Sequence, residues 1–467
     1  MAGERLHHPP IRSRAAAGGA LAVSVAVLVV LVVLTAHDVV YLLACSLAGA
    51  LAISALWIAA TNSRFRRWAT AGAALFLGGA VASLLAAGRG GVAVVVVVVG
   101  IVVAAALGIL ALRWEVHQAL AERWHRVPAT RRGVILMNPR SGDGNVARLH
   151  LVDEARRRGI EPVVLNQGED LRALAEAAVA RGADALGVAG GDGSQAVVAA
   201  VASERGLPLV CVPAGTRNHF ALDLGIDRDD PVGALDAFGA ALETTVDLGE
   251  VNGEVFVNNV SLGLYARIVA SDQYRQAKRR TVAEMLPELL GPAAEPFGLS
   301  LDGPDGPVTG ARVVQVSNNP YRLSSLAGFG SRASLSTGVL GVVTLAINRM
   351  SDVNRLVALE ATGHPERYAG WREWIARHLE VRGPDPLAVA VDGEARTFAP
   401  PLHFMVRPMA LRARISLGQP GASPAFLKAP LVVSTLVGLA RVVRGRPSGI
   451  VAGSPSVPAR PARVSRP

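Results

Sequence analysis

Along this chain the pattern of hydrophobic positions changes near residue 133. Before it, apolar residues form unbroken runs at 15–36, 39–60, 68–88 and 90–112, none of which contains a charged residue. Each is as long as the ~20 residues that a helix needs to cross a hydrocarbon core of ~30 Å. The pattern predicts four transmembrane helices. The valines at 94–99 favour strands locally, but an uncharged run of this length argues for a membrane helix. A cleaved signal sequence would explain the first run alone, and three more follow with no soluble domain between them.

Beyond 133 the apolar positions alternate between strand and helix periods. Residues 134–138, 160–165, 185–189 and 207–212 read as strands, and 146–158 and 171–181 as helices. This β-α-β-α order predicts an open parallel sheet with helices on both faces, whose ligands bind at the carboxyl ends of the strands. After 251 the helical period fades. Short strand-like runs at 255–260, 312–317, 341–347, 387–391 and 404–406, separated by Gly, Pro, Ser and Asn, predict a β-sandwich. A basic helical patch with Arg275, Lys278, Arg279 and Arg280 interrupts it. In the tail, 429–443 is too short and basic to span; it would either lie on a membrane surface or pack as an ordinary helix. Residues beyond 447 are expected to be disordered.

Charge orients the spans. Arg5, Arg12 and Arg14 precede the first, Arg64, Arg66 and Arg67 lie between the second and third, and Arg113, Arg123 and Arg126 follow the fourth. The two other turns hold only His37 with Asp38, and Arg89. Both ends of the bundle are therefore expected in the cytoplasm. The expected organisation is a cytoplasmic N-terminus at 1–14, four plasma-membrane helices within 15–112 and a basic, helical connector at 113–132. An α/β domain follows at 133–250, then a β-sandwich at 251–417 and a basic, largely disordered tail at 418–467. The fold class is thus membrane-anchored α/β + all-β. The net charge of +10 points to an anionic partner. Lipid headgroups suit it better than nucleic acid, because aromatics are only 4% of the chain, too few for base-stacking platforms. Two cysteines, Cys45 and Cys211, exclude a disulfide framework.

The candidate chemistry gathers at three expected strand ends, which carry NPRSGDG (138–144), GGDG (190–193) and PAGTRNHF (213–220). Strand, glycine turn and helix aim backbone N–H groups and the positive end of a helix at one point, where a phosphate fits. Glycine is needed there because a Cβ would block the approach to the backbone. Asp192 would repel a bare phosphate, but makes sense if a metal ion or a hydroxyl sits between, as in a MgATP site. For one loop alone, a tight turn with an exposed acid is the plain alternative. Three loops on one sheet edge would enclose a nucleotide. No GxxxxGK[ST] stretch and no protein-kinase motif set is present.

Together with GVAGGDGS, PAGTRNHFALDLGI, FVNNVSLG (256–263) and VDGE (391–394), these stretches resemble the diacylglycerol kinase catalytic-domain family of lipid kinases, in the family's order and over roughly 133–417. The family's relatives include sphingoid-base kinases and NAD kinases. The resemblance implies a nucleotide-binding α/β domain and a β-sandwich whose last strands return to it, with the active site between them. It implies ATP and Mg²⁺ as cofactors. Asn138 and Gly142 would border the nucleotide path. Gly190, Gly191, Asp192, Gly193 and Ser194 would cradle the phosphates, with Asp192 also aligning the metal or the attacking hydroxyl. Thr216 and Asn218 would complete the pocket, and Glu394 would be the general base. The expected reaction phosphorylates a membrane lipid at an anionic surface, most simply diacylglycerol to phosphatidate. A sphingoid base or other long-chain alcohol is the alternative acceptor; the sequence leaves the oligomeric state open, a homodimer among the options. From another class, a catalytically inactive nucleotide-binding membrane protein would be free to lose Asp192 or Glu394, and both are present.

Three positions depart from the family's pattern. Ser194 stands where Thr is usual, and His219 where Asp is usual. Thr337-Gly338-Val339-Leu340 replaces an Asp-Gly stretch tied to a second, structural metal, which is therefore not carried over.

Overall fold

Two of the four apolar runs fall within the residues that the computed structural model describes: 9–35, 89–270, 297–322, 330–347, 349–361, 365–426 and 432–449. The expected spans at 39–60 and 68–88, the basic patch at 275–280 and the tail beyond 449 lie outside the described residues. The chain divides into two units, 1–122 with 427–453, and 123–426 with 454–467.

In the first unit, α1 (Ile11–Thr35) and α2 (Arg89–Arg123) are continuous helices. Segments Ile11–Val30 and Val99–Arg123 are long and apolar enough to cross a membrane. A third helix, Val432–Val443, packs Leu439 and Val442 against Ala16, Ala17 and Ala20 of α1 and Ala111 of α2. The small alanines let the backbones come close. Arg14 Nε donates to the Val443 carbonyl at 3.1 Å, satisfying one of the acceptors left open at a helix end. The stretch read as 429–443 thus holds a helix that packs one face on α1 and α2.

The connector expected to be helical to 132 leaves the helix at Arg123. Trp124 is buried and its indole N–H donates to the Gly421 carbonyl at 2.8 Å. Strand β1 (His125–Val127) then pairs antiparallel with residues 241–243. Pro128 favours this exit, since the residue before proline prefers extended backbone.

Within the second unit, β2 (Gly133–Met137), β3 (Glu161–Val164), β4 (Ala185–Gly190) and β5 (Pro208–Pro213) form a parallel array in the order β3-β2-β4-β5. Every residue of β2, β4 and β5 is buried, as in parallel sheets covered on both faces. The helix expected over 146–158 is two, α3 (Asn145–Arg148) and α4 (Leu151–Arg157). His150, at φ +50°, breaks it, because a left-handed residue cannot continue a right-handed helix. Next come α5 (Leu171–Ala180), capped by the Asp170 carboxylate, α6 (Asp192–Glu204) and the short α7 (His219–Asp223).

The remaining strands begin with β6 (Ala241–Val251), β7 (Glu254–Phe256), β8 (Asn259–Gly263), β9 (Ser300–Gly303), β10 (Gly306–Thr309), β11 (Val313–Asn318) and β12 (Tyr321–Arg322). They continue with β13 (Ser331–Arg332), β14 (Leu340–Leu345), β15 (Trp371–Ala376), β16 (His378–Arg382), β17 (Leu387–Val391), β18 (Glu394–Phe398) and β19 (Leu402–Ser416). Strand β19 joins the two halves of this unit. It is parallel to β5 and antiparallel to β6 and β16, so one mixed sheet runs through the expected boundary at residue 250. A six-stranded sheet, β15-β14-β11-β8-β17-β18, faces it. Phe256, Leu262, Val316, Val342, Val381 and Phe404 are among the buried residues of the core of this sandwich. The single strand expected at 255–260 is interrupted between β7 and β8, and the reason lies in the candidate site.

Candidate active site

The loops after β2, β4 and β5 leave the carboxyl ends of adjacent parallel strands, where an open α/β sheet binds its ligands. They are in direct contact. A Cβ on Gly215 would lie 2.3 Å from the Gly191 Cα and 2.8 Å from its nitrogen, so backbone meets backbone and only glycine fits. Gly142, at φ +58°, sits against the Ala214 carbonyl, to which Asn145 Nδ2 also donates at 3.0 Å. Asn138 Nδ2 donates to Ser194 Oγ at 3.2 Å, tying the first loop to the glycine turn that Gly190 and Gly191 open. Asn218, left-handed at φ +51°, pairs its amide with both the N–H and the carbonyl of Gly215 (3.0 and 2.7 Å). Thr216 is exposed at the tip of that loop. The expected nucleotide-loop residues are thus together, with Asn138 and Asn218 used to shape the loops.

Helix α6 begins at Asp192, so Gly193 and Ser194 belong to its first turn. Asp192 is not an exposed acid. Its carboxylate is buried and accepts from the amides of His219 (3.2 Å) and Phe220 (3.1 Å), capping α7 from a neighbouring helix. Replacing a capping acid costs ~0.5–2 kcal/mol. Asp192→Asn, which keeps one acceptor and sets an NH₂ against the other amide, is expected to destabilise by ~1 kcal/mol as well as to lower activity. The midpoint of urea unfolding measures the first effect, and an unmoved midpoint would show that α7 does not depend on this cap. Burial holds the His219 imidazole below its usual range, with Asp192 opposing. Cys211, fully buried in β5, has its thiol pushed up by burial, as a packed and unreactive residue would.

Glu394 reaches the same place from the sandwich. Asp392 and Gly393, both left-handed at φ +48° and +84°, make the two-residue turn between β17 and β18, the tight hairpin geometry that favours Asp-Gly. The Asp392 carboxylate accepts from the amides of Val257 (2.9 Å), Asn258 (2.8 Å) and Asn259 (3.1 Å), which is what divides β7 from β8. Burial raises this carboxyl to about 7, with the amides pulling it down. Held in this way, the turn sets Glu394 on the first turn of α6. A Cβ on Gly193 would lie 2.4 Å from Glu394 Oε1. The Glu394 side chain is 53% exposed, and Oε2 pairs with Arg396 Nη2 at 3.0 Å.

Sequence reasoning missed Asp392, counted only as part of a turn, and Arg332. Arg332 is fully buried. Its Nε donates to Asp223 Oδ2 (2.6 Å), Nη1 to the carbonyls of Val257 (2.6 Å) and Asn318 (2.8 Å), and Nη2 to Asn258 Oδ1 (2.7 Å). Its guanidinium carbon lies 5.1 Å from the centre of the Tyr321 ring. An arginine in a Ser- and Gly-rich stretch carries no periodicity that would mark it as buried. Among the described residues no group of three or more His, Cys, Asp or Glu could hold a metal ion. Near the second metal position considered from sequence, Asp247 instead accepts from the amides of Gly338 (2.6 Å) and Met409 (2.8 Å).

Three strand-end loops of an α/β sheet, with a carboxylate returned to them by a sandwich, define the class of site. Residues 132–251 match the family model described as the diacylglycerol kinase catalytic domain. A diacylglycerol kinase of Mycobacterium tuberculosis is 31% identical over 217 residues, 44% of this chain and 66% of its own length, just under two thirds. A YegS-like lipid kinase sequence of Pseudomonas aeruginosa is 29% identical over 304 residues, 62% of this chain and 95% of its own. A crystal structure of a diacylglycerol kinase from Bacillus anthracis aligns with 62% of this chain and 98% of its own at 16% identity and a TM-score of 0.43. Residues 132–251 thus carry a diacylglycerol kinase catalytic domain by this match, and the chain resembles the lipid kinases that share it.

Proposed function

We propose that this protein transfers the γ-phosphate of ATP to the hydroxyl of a membrane lipid, with diacylglycerol as acceptor and phosphatidate as product. The observation that carries the reading is the meeting of Glu394 with the first turn of α6. The first amides of a helix lack intrahelical partners and point outward, so this turn offers donors to a phosphate. Phosphoryl transfer needs mainly positioning and charge stabilisation, plus a group to take the acceptor's proton. Glu394 suits that last role. Its carboxylate is half exposed, whereas both oxygens of Asp192 are engaged by α7. As the γ-phosphorus bonds to the lipid oxygen, its bond to the bridging oxygen of ADP breaks and the hydroxyl proton passes to Glu394.

Mg²⁺ is usually held by one or two carboxylates together with substrate phosphates rather than by an all-protein cage. The residues present fit that mode: Asp192 keeps unused lone pairs beyond its two N–H contacts and is the turn's own carboxylate for the ion. Bound there, the ion would offset charge on the transferred group. Asn138, Gly142, Gly190, Gly191, Ser194, Thr216 and Asn218 shape the nucleotide side.

The test is the full chain in phospholipid vesicles with γ-labelled ATP and a panel of diacylglycerol, sphingosine and long-chain alcohols, separated by chromatography. Label in phosphatidate is expected. Label only in another lipid would give the acceptor to that class, and ATP binding without any labelled lipid would favour the inactive nucleotide-binding protein.

Membrane attachment through α1 and α2 belongs to the same reading, because the acceptor resides in the bilayer. With arginines concentrated on one side of the four expected spans, a reporter fused after Asp38 is expected to read outside and one fused after Arg126 in the cytoplasm. A cytoplasmic signal at Asp38 would remove the four-span topology.

A further inference from the structure

We propose that Asp392 and Arg332 are positioning residues that together hold Glu394 over the glycine turn, an inference that rests on the lipid-kinase reading above. Their contacts form a closed circuit through the α/β part and the sandwich. Asp192, next to Gly193, holds the amides that open α7. Asp223, the last residue of α7, holds the Arg332 guanidinium through Nε at 2.6 Å and its backbone amide at 3.1 Å. Arg332 in turn takes the acceptors of the connector between β7 and β8, the Val257 carbonyl at 2.6 Å and Asn258 Oδ1 at 2.7 Å. From its other side the same connector gives its donors, the amides of Val257, Asn258 and Asn259, to Asp392. Gly393 turns the chain, and Glu394 arrives back at Gly193.

The circuit matters because a carboxylate beside a two-residue turn is otherwise free to wander. Arg396, which also contacts Glu394, lies on the same strand and moves with it. The circuit instead refers the hairpin tip to α7, and so to the loop that closes the nucleotide side. A shift of ~1 Å in a reacting group can cost ~10²-fold in rate. Neither Asp392 nor Arg332 has to touch a substrate to control that distance.

The test is a mutant cycle on the full chain in phosphatidylcholine vesicles containing diacylglycerol. Asp392→Asn leaves an Asn-Gly turn, which the hairpin accepts at least as well, while keeping only one acceptor oxygen for the three connector amides and setting an NH₂ against the rest. It is expected to lower kcat by ~10²-fold with the KM for ATP unchanged. In a Glu394→Gln background it should lower kcat no further, since a residue acting through another has nothing left to position. Arg332→Lys, which keeps the charge and loses the fork, should show the same non-additivity. If it does not fold, Asp392→Asn decides alone. Faster amide exchange at 257–259 in Asp392→Asn, and not in Glu394→Gln, is expected alongside. An equal loss from Asp392→Asn in both backgrounds, or wild-type turnover of Asp392→Asn, would overturn the proposal. Wild-type turnover of Glu394→Gln alone would instead remove the base itself and the positioning role with it, a failure already visible in that single variant.

Discussion

Glu394→Gln is expected to lower kcat by ~10²–10⁴-fold while leaving ATP affinity nearly unchanged. That range is the usual contribution of a positioned general base. The amide keeps the size of the side chain and its place on Gly193, and it loses only the capacity to take a proton. The phosphate-facing amides and the loops at Asn138, Gly191 and Gly215 are untouched by the change. Steady-state kinetics with varied ATP separates the two parameters, because an interaction made only in the transition state lowers kcat and kcat/KM together. Near-normal turnover would move the proton to another acceptor. Asp192 would be the next candidate, and the loss in Asp192→Asn would then be the more severe of the two.

The largest effect on stability is expected at Arg332. Arg332→Met removes a buried cation and leaves Asp223 buried without its partner. Breaking a buried pair on one side typically costs ~3–5 kcal/mol. Here the Asn318 carbonyl and the side chain of Asn258 also lose the arginine as donor, and the Val257 carbonyl keeps only Asn318 Nδ2 at 3.3 Å. Urea unfolding of the full chain in detergent should show a clearly earlier midpoint. Adding Asp223→Asn should restore part of the loss, since the uncompensated charge goes. A midpoint within ~0.5 kcal/mol of wild type, the range of ordinary surface changes, would mean that water replaces the guanidinium and that the halves of the sandwich unit do not depend on it.

Both residues show where sequence reading succeeds and where it stops. The glycine turn and the two flanking loops were legible because each depends on local chemistry: alternation of apolar residues and glycine where a phosphate must approach; the acid at the end of VDGE was marked by the resemblance to the kinase family. The order of strands and helices through Pro213 was legible for the same reason, since strand and helix periods are short-range signals. The apolar runs at 15–36 and 90–112 likewise predicted the helices α1 and α2 from composition alone. The uninterrupted helix over 146–158 failed at one residue, His150, whose left-handed backbone no side-chain period announces.

What the sequence by itself determined is therefore the alternation of strands and helices through Pro213 and the loops there that carry the polar residues. Only the tertiary structure decided what those polar residues do. Asp192 caps α7 rather than standing open. The partners of Asp392 lie up to 135 residues away, and Asp223 and Arg332 are 109 residues apart. The physical reason is the same in each case. A buried carboxylate or guanidinium must find donors or acceptors to offset the loss of water, and which ones it finds depends on the packing of strands such as β19, whose pairing with β5 and β6 no local pattern contains.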